Sequence, residues 1–489
     1  MKPILLIVTI LFAGHCFAQH PGILKGQVYA GEAAVPYASV SLQGTDQGTL
    51  SDSLGHYTLS GIPAGNYIVS VMAIGYSEKT QAVSIVAEGT ATLDFQLQAN
   101  TSDLNEVVVT GTLKEVSRSK SPVPVEVYTS AFFRKNPTPS LFDALGMING
   151  VQSQINCNVC NTGDIHINGM NGPYTMILID GMPIVSSLSS VYGLSGIPNS
   201  LVDRVEVVKG PASSLYGSEA MGGTINVITK NPTHAPVFSA DLYGTTWQEY
   251  NADVSVKFKI EKLQSLLGVN YFNYQHPVDN NHDGFADVTL QNRISLFSKW
   301  SLSRKENRIA SLAARYVYED RWGGQMNWNS SWRGSDSIYG ESIYTSRLEL
   351  IGMYQLPVQE RIITQFSFNN HDQNSFYGYT PYRANQKVLF GQVYWDKYFG
   401  QRKQHNFLLG ASMRYTYYDD NTPGTATIQQ DNQPMKTPLP GIFVQDEWTI
   451  DAKNTLLAGY RYDYDKHHGS IHSPGWPTSL PPVISIPSG

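Results

Sequence analysis

Cysteine is scarce in this chain: three residues in 489, at Cys16, Cys157 and Cys160. A scaffold held together by many disulfides is excluded. Charge is scarce too, at 15% of residues with a net charge of -6, so nothing in the balance points to nucleic acid as a partner. No segment carries eighteen or more apolar residues in a row, which excludes a transmembrane helix. It does not exclude a membrane-spanning β-barrel, whose signal per strand is weak. An HExxH motif, a nucleophile–base pattern and a Gly-rich phosphate loop are all missing, so the chain does not read as an enzyme. Present in quantity are 29 Tyr, 8 Trp and 42 Gly, a composition that suits β-structure better than helix.

The N-terminus, MKPILLIVTILFAGHCFAQ, has the layout of a secretory signal peptide over residues 1–18. Lys2 supplies the positive region, Ile4–Phe12 the apolar stretch, and Cys16-Phe17-Ala18 ends in a small residue before Gln19. His15 stands where a lipoprotein signal would place a small residue, against lipidation of Cys16. After cleavage only Cys157 and Cys160 remain, in an exported and oxidising compartment.

Residues 22–98 show short alternating segments separated by Gly, Pro and Asp turns, the pattern of a small β-sandwich. Residues 99–121 read as a polar linker with one β-prone island, Glu106–Thr110. Residues 122–232 read as an α/β unit. In it, Ser140 caps a helix with Leu141, Leu145 and Ile148 on one face, "YTMILIDGMPI" is a buried strand entering a turn at Asp180-Gly181, and Val205–Val208 and Thr224–Thr229 are strands. From residue 234 to 474, about eleven alternating segments near ten residues long recur, joined by alternately short and long connections. The short ones are EKLQ, SRKEN, PVQE, GQRKQ and DAKN; the long ones lie near 275–288, 319–342, 372–386 and 419–438. This alternation is that of an outer-membrane barrel. The fold expected is therefore β-rich: a small β-sandwich, an α/β domain, then a partial antiparallel transmembrane β-barrel.

The residues also carry a resemblance. "SDSLGHYTLSGIPAGNYIVSV" in the first unit resembles the carboxypeptidase-regulatory-like domain, which implies an accessory module and no peptidase activity. With "DLNEVVVTGT", "ILIDGMPI" and "IPNSLVDRVEVVKGPASSLYGSEAMGGTINVITK" following it, the whole resembles TonB-dependent outer-membrane receptors of the Bacteroidetes type. The resemblance implies that 122–232 is a plug stoppering the barrel, with Gly210, Gly217, Gly222 and Gly223 allowing tight turns and Thr224–Thr229 closing its sheet. It implies an outer-membrane location, lipid around the barrel, and a periplasmic energy transducer, TonB, bound through a box at Glu106, Val107, Val108, Val109 and Thr110. "LYGSEAMGGTINVITK" looks like the branch that imports siderophores, cobalamin and metal chelates, so a small metal-containing ligand, siderophore-type or copper, is expected. The family's barrel has about twenty-two strands. About half are counted here, and the stretch after Tyr464, DKHHGSIHSPGWPTSLPPVISIPSG, is Pro-rich without strand alternation, so the expectation is a C-terminally truncated receptor that departs from the family near Gly475, with an aberrant tail over 475–489. The rival reading is a non-transporting surface binding or sensing protein, or an inert fragment.

Three stretches are candidate sites. Cys157 and Cys160, with His166 and Met170, present an S-S-N-S set suited to copper. A turn disulfide, a redox thiol pair and plain packing stay open beside it. Asp279, Asn281, Asp283 and Asp287 alternate oxygen side chains around Gly284 as calcium loops do, although Leu290 stands where such a loop needs its final Glu. A solvated turn is the alternative. Trp328 and Trp332, with Met326, lie in a long outer loop and suggest ligand contact, whereas Trp322 suits an interfacial aromatic belt. No cofactor is required; copper and calcium are the two ions these residues suggest.

Overall fold

The computed structural model describes residues 21–31, 33–45, 47–73, 76, 79–98, 107–108, 113–114, 116–117, 121, 123–157, 162–183, 193–194, 196–210, 212–451 and 454–475. The expected signal peptide and the Pro-rich tail after 475 lie outside them. The chain divides into two units, 1–106 and 107–489. In the first, β1 (Gly22–Ala30), β2 (Ala33–Ala34), β5 (His56–Ile62), β8 (Thr90–Thr92) and β9 (Phe95–Gln96) form one sheet. The strands β3 (Ser39–Leu42), β4 (Gly48–Leu50), β6 (Gly65–Met72) and β7 (Lys79–Ile85) form the other. Their inward residues, among them Leu24, Val28, Val40, Leu42, Val69, Val71 and Phe95, make one apolar core. That is the sandwich solution to strands with one apolar face.

The second unit opens with a small hairpin, β10 (Val107–Val108) paired to β11 (Val116–Ser117). The α/β domain follows: β12 (Val125–Thr129), α1 (Ser130–Arg134), α2 (Leu141–Leu145), β13 (Val151–Cys157), β14 (Thr162–Ile167), β15 (Thr175–Ile179), β16 (Met182–Pro183), β17 (Val202–Lys209), α3 (Ser213–Tyr216) and β18 (Gly223–Thr229). Ser140 caps α2 by accepting from the Asp143 amide, as its position before the apolar run predicts. Asp180 (φ 49°) and Gly181 (φ 78°) make the tight turn between β15 and β16, the geometry two-residue hairpins prefer. One expectation is corrected. The sheet order is β12-β17-β18-β15-β16, so Thr224–Thr229 lies mid-sheet and does not close it. Its residues are almost wholly buried, the polar Thr224, Asn226 and Thr229 included, as befits a strand between two neighbours.

Twelve strands then form one antiparallel sheet, each paired with the next: β19 (Phe238–Gly244), β20 (Glu249–Ile260), β21 (Leu263–Tyr274), β22 (Leu290–Leu302), β23 (Ala310–Gly324), β24 (Gly340–Gln355), β25 (Arg361–Tyr377), β26 (Thr380–Phe399), β27 (His405–Asp420), β28 (Met435–Thr449), β29 (Thr455–Asp465) and β30 (Gly469–Gly475). The sheet is a wall, open between β19 and β30 among the described residues. One face packs on the α/β domain. The other exposes an apolar band including Leu348, Phe366, Leu389, Leu409 and Ile442. Among the described residues no helix is long and apolar enough to cross a membrane; the strands of this wall carry the lipid-facing surface. Two readings change. β30 is a strand despite Pro474, and the long connection expected at 372–386 shrinks to a turn at Gly378-Tyr379.

Candidate functional site

The α/β domain is bolted to the inner face of the wall by charged side chains that alternation turns inward. From the β15–β16 turn, Asp180 accepts from the Thr229 amide at Oδ1 (2.9 Å), and its Oδ2 accepts from both the Thr229 hydroxyl (2.7 Å) and Lys299 Nζ of β22 (2.8 Å). Arg414 of β27 grips Glu219 with both Nη atoms, at 2.6 and 2.8 Å, a bidentate fork that fixes orientation as well as distance. Three more wall arginines donate to backbone carbonyls of the domain: Arg293 to Pro139 (2.5 Å), Arg315 to Gly193 (2.6 Å) and Arg461 to Leu215 (3.0 Å). Gly268 lets Leu201 approach the wall, because a Cβ there would stand 2.4 Å from the leucine side chain.

The same inner face carries a polar network that the sequence reading did not single out. Glu349 accepts from Arg315 Nε at 2.7 Å and from Arg347 Nε. Arg347 is buried, yet its Nη1 and Nη2 have no hydrogen-bond partner among the described residues. Glu319 accepts from Arg321 Nε at 2.5 Å and from Gln291. Tyr418 hydrogen-bonds Tyr382 (2.9 Å) and donates to Asp420 (2.7 Å). The signal that finds these residues is the strand alternation itself, read for the charged member of each pair.

The box-like segment is folded back on its own chain. Val107 pairs with Ser117 and Val108 with Val116; Glu106, Val109 and Thr110 lie outside the described residues. The connecting residues plug into the wall. Leu113 joins an apolar cluster with Leu215, Ile363, Tyr394, Leu408 and Phe443. Lys114 pairs with Asp396 at 2.6 Å and donates to Asn406 Oδ1. Burial pushes the Lys114 pKa down, against the opposing pull of Asp396.

The candidate ion and ligand residues fare differently. Cys157 faces Thr162 across the β13–β14 hairpin, and His166 is four residues further along, about 13 Å at strand rise. The expected copper set is therefore not drawn into one sphere by this hairpin. Cys160 and the Cys157 side chain lie outside the described residues, and Met170 packs beside Gly222. Among the described residues no group of three or more His, Cys, Asp or Glu side chains is placed to hold a metal. In the 279–287 loop, Asp279 accepts from the Asp283 and Gly284 amides, Asn281 from Asp283, Asp283 from Phe285, and Asp287 from Asn280. The oxygens expected for calcium cap the loop's own backbone. Trp328, expected at a ligand, is 5% exposed and packs against Trp322, tilted by 32° with ring centres 5.1 Å apart. It fastens the loop. Met326 is exposed and Trp332 half-buried.

A barrel sheet with a plug is what the comparisons with known proteins also find. Residues 231–476 match the family described as TonB dependent receptor-like, beta-barrel, and 117–224 match the TonB-dependent Receptor Plug Domain. The chain belongs to the TonB-dependent receptor family. Residues 24–109 match the CarboxypepD_reg-like domain. The α/β domain is thus the plug and the wall its barrel sheet, in the outer membrane; such receptors are transporters and not enzymes. Similar solved structures include the ferric enterobactin receptor PfeA of Pseudomonas aeruginosa (17% identity, 76% of this chain and 60% of that one, TM-score 0.55). They also include the siderophore receptor PirA of Pseudomonas aeruginosa (19%, 72% and 57%, TM-score 0.52) and P. aeruginosa FpvA bound to pyoverdines (14%, 78% and 58%, TM-score 0.56). At these identities the likeness is one of fold. The chain spans at most 60% of the length of these three receptors.

Proposed function

We propose that this receptor takes up an anionic metal chelate of the siderophore type, using energy delivered by TonB to the β10 strand. The observation that carries the reading is the linkage from β10 through Lys114 and Asp396 to the wall, beneath a plug held by the Asp180–Lys299 and Glu219–Arg414 pairs. A pull on β10 loads that linkage first. The second edge of β10 carries no strand among the described residues, so a partner can add there by strand pairing. The ligand class is supported by the buried Arg347, beside Arg315, whose two Nη atoms have no hydrogen-bond partner among the described residues. A planar cationic fork of this kind suits carboxylate, catecholate or hydroxamate oxygens around a metal. The solved relatives include receptors for ferric enterobactin and pyoverdine.

The test separates binding from transport. Cells expressing the full chain are given radioiron-labelled ferric enterobactin, with and without a proton-gradient uncoupler. The reading expects surface binding in both conditions and internal iron only without the uncoupler. Binding with no energised uptake would support the surface-binding alternative, and no binding by this or a hydroxamate or pyoverdine chelate would overturn the ligand class.

A further inference from the structure

The wall has a cavity of about 650 Å³ that is not in the lumen. It lies on the opposite face, and its floor is a row of residues facing one another across five strands: Tyr318, Ser346, Asp372, Asn385 and Asp419. Plug-facing positions on β25 and β26, such as Ile363 and Tyr394, have the other parity. The row therefore looks away from the plug.

Its height follows from strand geometry. Near the short-turn end of β26, Trp395 packs with Phe399 and Phe407 at ring distances of 5.8 and 6.3 Å, an aromatic girdle at one membrane interface. From Trp395 to Asn385 is ten residues, about 33 Å of strand. At a tilt of about 40° this is about 25 Å of height, the thickness of an outer-membrane barrel's apolar band. Between them the same face exposes Leu389 and Val393. The cavity thus sits where the acyl region ends and the outer head groups begin.

Its chemistry is that of hydroxyl recognition. Asn385 donates to Asp372 (2.5 Å) and Asn370 (3.0 Å), and Asn370 donates to Asp372 (2.7 Å). Asn432, from the 421–434 loop, donates to Asp419 Oδ2 at 3.1 Å, leaving the buried Asp419 Oδ1 with no partner. Arg383 and Tyr344 complete the rim. Asn385 uses both N–H groups on Asp372 and Asn370, so the row offers chiefly acceptors, the carboxylates and the unpaired Asp419 Oδ1 among them, which match the O–H donors of adjacent sugar hydroxyls. We propose that this cavity binds the saccharide head group of an outer-leaflet glycolipid, with its acyl chains lying on the Leu348, Leu389 and Leu409 band below. Continuity of the cavity with that band selects a lipid-borne sugar over a free one.

The full chain, purified in detergent, would be titrated with rough lipopolysaccharide, with its deacylated core oligosaccharide and with phosphatidylglycerol in mixed micelles. Lipopolysaccharide should bind tightest. Asn385→Ala and the loop variant Asn432→Ala should each weaken it about tenfold, roughly 1.4 kcal/mol, with the thermal unfolding profile unchanged. Equal affinity for phosphatidylglycerol, or unchanged lipopolysaccharide affinity in both folded variants, would overturn the site. Oligosaccharide binding as tight as lipopolysaccharide would overturn the glycolipid as its occupant.

Discussion

Lys114 Nζ and Asp396 Oδ1 lie 2.6 Å apart with both side chains more than nine-tenths buried, joining the box hairpin to the inner face of β26. Removing Lys114 takes away the closer partner of Asp396 but leaves Arg361 Nε at 3.0 Å from its other oxygen, a loss of about 1–3 kcal/mol. Lys114→Gln should therefore undock the segment around 107–117 while leaving the plug sheet folded. Limited proteolysis checks this: cleavage should appear near 107–117 and nowhere in 125–229.

The same pair has a pH signature. Burial lowers the Lys114 pKa on docking, more than Asp396 restores. A group whose pKa falls in the docked state binds fewer protons there, so docking gains stability as pH rises from the lowered value towards the ordinary lysine value near about 10.4. Hydrogen exchange at 113–117, corrected for its intrinsic pH dependence, should show protection constant in the neutral range and rising in the alkaline one.

Asp180 ties the β15–β16 turn to both Thr229 and Lys299. Asp180→Asn keeps the shape and removes the charge, and should cost about 1–3 kcal/mol. A lowered midpoint for release of the plug in urea, followed by its tryptic sensitivity, is the expected outcome. Lys299→Met, which removes the other charge, should restore part of the loss.

Gly223 has φ 140° and a Cβ there would stand 2.1 Å from the Val208 carbonyl. Both the backbone conformation and the space exclude a side chain. Gly223→Ala should destabilise the plug by more than about 1 kcal/mol, whereas Gly469→Ala, at a turn with open space (φ 72°), should cost only the strain. Thermal unfolding of the two variants gives the comparison.

Trp328 is a fastener for the 325–339 loop, packed on Trp322 and lying against Gly340. Trp328→Ala should free that loop, with a local loss of about 3 kcal/mol seen as faster hydrogen exchange across 325–339. Exchange in the plug strands should not change.

How much of this was legible follows from what alternation can and cannot say. Lipid-facing apolar positions opposite polar inner ones give period two, so the middles of the barrel strands stood out, as did the plug strand Thr175–Ile179, apolar after its first residue. The contrast vanishes above the membrane. In "DQNSFYGYTPYRANQ" both faces are polar or aromatic because the outer one has left the lipid, so β25 and β26 read as loop where they continue to Tyr377 and from Thr380. That lost contrast is also what exposes the outer cavity. Pro474 hid β30 because proline cannot donate to a ladder; it is tolerated opposite Tyr460 because β30 is an edge strand of the sheet among the described residues. The Lys114–Asp396 pair and the arginine forks on plug carbonyls join residues far apart in sequence, and no local pattern marks them.

The central claim is that β10 is where the energy transducer takes hold. The most direct measurement is disulfide cross-linking in living cells between Val108→Cys in the full chain and single cysteines in the periplasmic domain of TonB. The account predicts a cross-linked product with Val108→Cys that increases when ferric chelate is added, and none with a control cysteine at Thr49 in the first domain. No product at Val108 with or without chelate, in cells where the receptor is present in the outer membrane, would contradict it.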